Sequence, residues 1–273
     1  MKVLVGILIV SILGNFAGLF VLYKFTKKNE YLAMLEERLK QKDETLKKVN
    51  ELLPKKLVFL HHSVGRNWLQ DGLREELMSR GIAVQSITYG DEIGEDTDMN
   101  NWVPKFEKEF DKITHFGFDD SGSEHDIIMF KSCFPNSDIV SSGGDNGNPY
   151  EPVKTLANYQ ATFDSLKNVF SAHPQKQFIY ITSPPLYKSE TSPENASRAR
   201  EFAKWIKNDF VERYKTETGL NNFKVFDLFD ILANEQNVLK DNFAQREGDS
   251  HPNHIANKTA SKAFVKFLEE NNL

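Results

Sequence analysis

From Pro54 onward, five short apolar runs alternate with longer amphipathic stretches, and few architectures accept that pattern. The runs are Leu57–His61, Ile82–Tyr89, Asp126–Lys131, Gln177–Thr182 and Phe223–Leu228. Between them Asn67–Ser79, Trp102–Phe110, Glu151–Ala172 and Pro193–Thr218 read as helices, and Ile255–Glu270 follows the last run as another. In the first of these, Trp68, Leu69, Leu73 and Leu77 recur along one face. Short continuous apolar runs such as "DIIMFK" suit strands buried on both faces, as in a parallel sheet. The alternation therefore predicts an α/β domain, with a five-stranded parallel sheet between two helical layers. Ligands of such sheets lie outside the carboxyl ends of the strands. The residues that follow each run are thus the place to look for function.

The chain ahead of Pro54 has a different character. Val3–Tyr23 contains no charge. At about 1.5 Å per residue it would extend roughly 30 Å, the thickness of a bilayer core. It is long for a signal-peptide core and no Ala-x-Ala site follows, so residues 1–23 are expected to form an uncleaved, single-pass signal anchor. Residues 24–54 are rich in Lys, Glu and Leu and are expected to form a helical stalk that ends at Pro54. Leu32, Leu35, Leu39, Leu46, Val49 and Leu53 follow three- and four-residue spacing, with Lys42 in the one polar slot. That seam fits either a solvated single helix or a coiled coil joining copies of the chain into a homo-oligomer. Residues 55–273 form the domain. Lysines 24, 27 and 28 against Lys2 favour a cytoplasmic side for it. The net charge of −5 excludes the basic surplus of a nucleic-acid binder. The single cysteine, Cys133, excludes an intrachain disulfide and reads as a small buried hydrophobe.

Collecting the strand ends gives a set of reactive side chains. His61, His62, Ser63 and Gly65 follow the first run. Gly90, Asp91, Gly94, Asp96 and Thr97 follow the second. Lys131, Ser132, Cys133 and Asn136 follow the third, and "GDSHPNH" (248–254) precedes the last helix. Serine needs a base to become a nucleophile, and that base needs a carboxylate to orient it. Ser63, His251 and Asp249 supply those roles. Backbone N–H groups near Ser63 and Gly94, with the Asn136 amide, would bind an oxyanion. Against this, Ser63 also suits a helix cap. Lys131 suits a lysine snorkelling from a strand edge. The histidines and Asp249 raise a third reading, a metal-dependent hydrolase. Adjacent His61 and His62 would point to opposite faces, however, and Pro252 interrupts His251-x-x-His254, so no metal site is expected.

Four stretches together resemble the SGNH (GDSL-type) hydrolase superfamily over about residues 56–273. "FLHHSVGRNW" stands for the serine block, "IGEDTD" for the second-block glycine, "KSCFPNS" for Gly-x-Asn, and "GDSHPNHIAN" for Asp-x-x-His-Pro. The resemblance implies a three-layer flavodoxin-like fold and a cofactor-free serine esterase. The substrate would be an O-acetyl or other short acyl ester, with a cell-envelope polysaccharide as one candidate and an extracytoplasmic domain to match. There are departures. His61-His62 replace Gly-Asp. Cys133 takes the strict position of the oxyanion asparagine, which leaves Asn136 three residues late. Gly248 takes the position of the triad aspartate, which leaves Asp249 one residue late. These departures motivate an alternative, an inactive glycan-binding or scaffold module of the same fold.

Overall fold

A computed structural model describes residues 28–29, 31–42, 55–119 and 122–273. The chain divides into two units, Met1–Leu53 and Pro54–Leu273. In the first, residues 31–42 are helical, and Leu32, Met34 and Leu39 are exposed. The expected anchor and residues 43–54 of the expected stalk lie outside the described residues. Among the described residues no helix is long and apolar enough to cross a membrane.

The second unit is built on five parallel strands: β1 (Lys55–Leu60), β2 (Ile82–Ile87), β3 (Ile127–Phe130), β4 (Gln177–Ile181) and β5 (Phe223–Phe226). Their spatial order is 2-1-3-4-5, the flavodoxin-like doubly wound order. Side chains alternate across each strand. Val58, Leu60, Ile128, Phe130, Phe178 and Tyr180 enter one core. Leu57, Phe59, Ile127, Met129, Ile179 and Ile181 enter the other. The first core is covered by α3 (Trp102–Thr114), α4 (Leu156–Ala172), α5 (Pro193–Trp205) and α6 (Val211–Thr218). The second is covered by α1 (Ser63–Trp68), α2 (Arg74–Ser79), α7 (Leu228–Leu232) and α8 (His254–Glu270). The three layers predicted from the alternation are therefore present.

The boundaries shift for local reasons. Every strand ends one or two residues earlier than its apolar run. The first helix begins at Ser63 rather than Asn67 and is interrupted at Asp71 and Gly72, where Gly72 takes a φ of 120°. A wide turn over Leu69–Leu73 joins its halves, and a similar turn over Ile206–Phe210 joins α5 to α6. The fourth helix starts at Leu156 because the Thr155 hydroxyl caps it, accepting from Asn158 N at 3.1 Å. α7 begins at Leu228, the last residue of the fifth apolar run, and extends beyond it to Leu232. The Asp227 carboxylate caps it, accepting from Asp230 N at 3.0 Å.

The order 2-1-3-4-5 places β1 between β2 and β3. The chain reverses direction of winding there, which opens a crevice at the carboxyl ends of β1 and β3. Ser63 follows one strand and Cys133 the other. α8 brings the C-terminal loop to the same edge: the Asn253 side chain caps it by accepting from Ile255 N and Ala256 N, two residues after His251.

Candidate active site

The chain leaves β1 through His62, whose extended backbone (φ −118°) is the N-cap of α1 and makes no side-chain cap bond. Ser63 is thus the first helical residue, not the cap. Its Oγ lies 2.9 Å from His251 Nε2. His251 Nδ1 lies 2.7 Å from Asp249 Oδ1, which also accepts the His251 backbone N–H at 2.9 Å. A carboxylate only accepts, so Nδ1 carries the proton and Nε2 is left to accept from Ser63. Asp249 reaches the ring from two residues away because the carboxylate folds back over the intervening backbone. Gly248, at a φ of 73°, provides the turn. The loop is pinned on both sides: Gln245 N donates to His251 O at 3.1 Å, and Asn253 N donates to Phe243 O at 2.7 Å. Phe134 meets the His251 ring edge-on at 4.8 Å. Burial alone would push the Asp249 carboxyl up. The hydrogen bonds from the His251 backbone and ring, with the His251 and Arg246 charges, outweigh it and hold the carboxyl below its ordinary value.

His61 lies on the opposite side of the strand end, fully buried against Phe59. Its Nδ1 donates to His62 O at 2.8 Å, and its Nε2 lies 2.7 Å from Ser86 Oγ, whose hydroxyl donates to the neutral ring. Burial is the main cause that lowers its pKa from 6.5 to about 3, opposed by the His62 carbonyl and helped by Lys131. A Cβ at position 65 would lie 2.4 Å from His61 Cβ, so this histidine fits only over a glycine. His62 stacks on Tyr89 with ring centroids 3.6 Å apart, donates to Gly94 O at 3.0 Å and accepts from Thr97 Oγ1 at 3.1 Å. Its pKa is lowered, chiefly by burial.

The His61 shift has a thermodynamic consequence. The unfolded histidine binds a proton below about pH 6.5 and the folded one only near pH 3, so this group removes stability as pH falls between those values. Urea unfolding of the wild type is expected to lose about 2–3 kcal/mol from this source between pH 7 and pH 4.5. His61→Gln should flatten that slope; an equally steep slope in the variant would refute the assignment.

Three expectations need correction. Lys131 does not snorkel: it is 0 % exposed, and its Nζ has no hydrogen-bond partner among the described residues. The reason is its place at the end of the central strand β3, where its N–H still continues the ladder to Leu60 O. Gly94 and Asn136 were expected to hold an oxyanion, but their donors are engaged elsewhere. Gly94 N donates to Asp91 O at 3.0 Å inside a tight turn, and a Cβ there would lie 1.7 Å from Thr88 O. Asn136 is buried; its Nδ2 donates to Asp98 Oδ1 at 2.8 Å, and its Oδ1 accepts from Met99 N at 3.1 Å. It ties the loop after β2 to the loop after β3. The residue that does reach the serine is Cys133, buried with its Sγ 3.8 Å from Ser63 Oγ. The strict block alignment pointed to this position. The rings of His61 and His62 are occupied as described. Among the described residues, no three His, Cys, Asp or Glu side chains converge as a metal site would require.

No protein-family model matches the sequence, and no curated protein does. Solved structures are similar to it at low identity. A GDSL-like lipase from Bacteroides thetaiotaomicron is 10% identical, with a TM-score of 0.49 over 80% of this chain and 89% of that one. A gut microbial diltiazem-metabolizing enzyme is 13% identical, with a TM-score of 0.47 over 78% of this chain and 46% of that one. A family two carbohydrate esterase from Cellvibrio japonicus is 12% identical, with a TM-score of 0.42 over 80% of this chain and 62% of that one.

Proposed function

We propose that the domain is a serine ester hydrolase of the SGNH type. The observation that carries this reading is the unbroken chain from Ser63 Oγ through His251 to Asp249, at 2.9 and 2.7 Å. Those contacts join a nucleophile, a base and its orienting carboxylate within hydrogen-bonding reach before any substrate arrives. Ser63 Oγ attacks the ester carbonyl while His251 Nε2 takes its proton. The resulting imidazolium is stabilised by Asp249 and returns the proton to the leaving alcohol. Water, activated by the same ring, then releases the acid from the acyl-enzyme. The N–H groups of Ser63 and Val64 open α1, where no intrahelical acceptor exists, and so are available to the oxyanion.

For the substrate we propose an O-acetyl or other short acyl ester on a glycan. Tyr89 supports this choice: its ring, half exposed beside the serine block, would suit a sugar face. We further propose that Val3–Tyr23 anchors the chain in a membrane, with the domain outside the cytoplasm and copies associating through the stalk. Deleting residues 1–23 should release the protein from the membrane fraction.

A second reading has its own observation. With the Gly94 and Asn136 donors engaged, the fold also suits a glycan-binding module without catalysis. One experiment separates the two. A fluorophosphonate should label the wild-type domain on the peptide containing Ser63, and the domain should turn over p-nitrophenyl acetate. A folded domain that neither labels nor turns over the ester would end the hydrolase reading in favour of the binding module.

A further inference from the structure

The proposed acyl-enzyme chemistry passes through an oxyanion, and the side chain facing Ser63 on the β3 side is neither Gly94 nor Asn136. It is Cys133, with Sγ 3.8 Å from Ser63 Oγ. His251 approaches the same oxygen at 2.9 Å. The thiol is buried and makes no disulfide. Behind it stands Lys131, two residues earlier. Ser132, between them, turns to the opposite core, where its Oγ accepts from Trp102 Nε1 at 2.8 Å. The Lys131 amine therefore shares the Cys133 side of the chain. It is 0 % exposed, and its Nζ lacks a hydrogen-bond partner among the described residues.

We propose that Cys133, backed by Lys131, forms the oxyanion side of the site: the thiol S–H donates to the ester carbonyl oxygen as that oxygen gains negative charge, and the Lys131 amine stabilises the same charge from behind. The inference rests on the hydrolase reading given above. A thiol is a weak donor, but a developing oxyanion is a strong acceptor, and the thiol itself is buried. Lys131 adds what the thiol lacks. Burial disfavours its charged form, and among the described residues Cys133 is the acidic group that acts on it. An amine whose charged form burial disfavours, and whose Nζ has no hydrogen-bond partner among the described residues, gains most from a negative charge that exists only in the transition state. Such an interaction strengthens between ground state and transition state and therefore raises kcat rather than lowering KM. Cys133 would touch the reacting oxygen. Lys131 acts through it and is a positioning residue. No covalent bond to sulfur forms, and the thiol proton stays where it is.

The test uses the full chain and a short acyl ester, with kcat and KM measured separately. Cys133→Ala should lower kcat about tenfold at nearly constant KM, and Cys133→Ser, which restores a donor of similar size, should recover most of that loss. Lys131→Met should also lower kcat at constant KM while raising the melting temperature, because an unpartnered buried amine is replaced by an apolar chain of similar length. A merely structural lysine would not move kcat in a protein made more stable. If Cys133→Ala does not fold, Cys133→Val carries the same comparison. A Cys133→Ala enzyme with wild-type kcat, or a Cys133→Ser enzyme as slow as the alanine variant, overturns the proposal and leaves the hydrolase reading intact. Absence of any Ser63-dependent turnover in the wild type overturns both.

Discussion

Ser63→Ala is expected to lower kcat/KM for a short acyl ester by at least about 10³-fold, with no fluorophosphonate labelling and little change in stability. The loss is large because the hydroxyl, 2.9 Å from His251 Nε2, is the proposed nucleophile and alanine leaves nothing in its place. The stability change is small because Ser63 is partly exposed, stands at the first helical position and makes no capping bond, so its removal frees no backbone donor. Its lost contacts are the His251 ring at 2.9 Å and the Cys133 sulfur at 3.8 Å. A stability change within about 0.5–1 kcal/mol follows. His251→Ala should cost about as much, and the double variant little more than either single one, since the two act as one unit. Urea unfolding and steady-state kinetics on the three proteins check this. Additive losses, or a Ser63→Ala enzyme within tenfold of the wild type, would remove Ser63 from the mechanism.

Asp249→Asn is the second large effect, expected at about 10³- to 10⁴-fold in kcat at neutral pH. The wild-type carboxylate takes both the ring and backbone N–H of His251 on one oxygen. An asparagine in the same place can turn its NH₂ toward Nδ1. The imidazole proton then moves to Nε2, and the ring can no longer accept from Ser63. The pH dependence has a definite sign. Because the folded carboxyl lies below its ordinary value, its contribution to stability is complete above about pH 4 and is lost only as pH falls through the folded pKa. The titration of the carboxyl itself should therefore add no pH dependence to the stability difference between the wild type and Asp249→Asn above pH 5, while their activities differ throughout. A folded Asp249 carboxyl that titrated above pH 5 would contradict the assignment.

How far the sequence could be read depends on which interactions placed each residue. Strands and helices were legible because burial on two faces writes itself as continuous apolar runs, and burial on one face as helical spacing. Ser63 and His251 were legible because both stand where the chain leaves regular structure at the carboxyl edge. Asp249 lies beside His251 despite its offset, because an aspartate two residues before a histidine folds back on it through a single turn. Gly94 and Asn136 had the residue types of an oxyanion hole but not the freedom. The signal lay in "GDEIGEDTD", where Asp91 Oδ2 accepts from Thr88 N at 2.8 Å and Asp91 O accepts from Gly94 N. An aspartate followed by a glycine three residues on marks such a turn. Lys131 was misread because a lysine at the end of an apolar run is usually near water. Its burial comes from long-range packing that a local pattern does not encode. The steric fit of His61 over Gly65 was equally hidden, although both residues were in view.

The bond between Ser63 and His251 closes a span of 188 residues. Most of the domain, including strands β2 to β5, lies inside that loop. A chain emerging during synthesis therefore carries its serine early but has no base for it until the last loop and the helix behind it have docked. Reactivity arrives as a late event in assembly, and any fluctuation that undocks the C-terminal loop switches it off without unfolding the sheet. The rate of fluorophosphonate labelling would then serve as a clock for that docking step, reporting on the closure of the chain rather than on the chemistry alone.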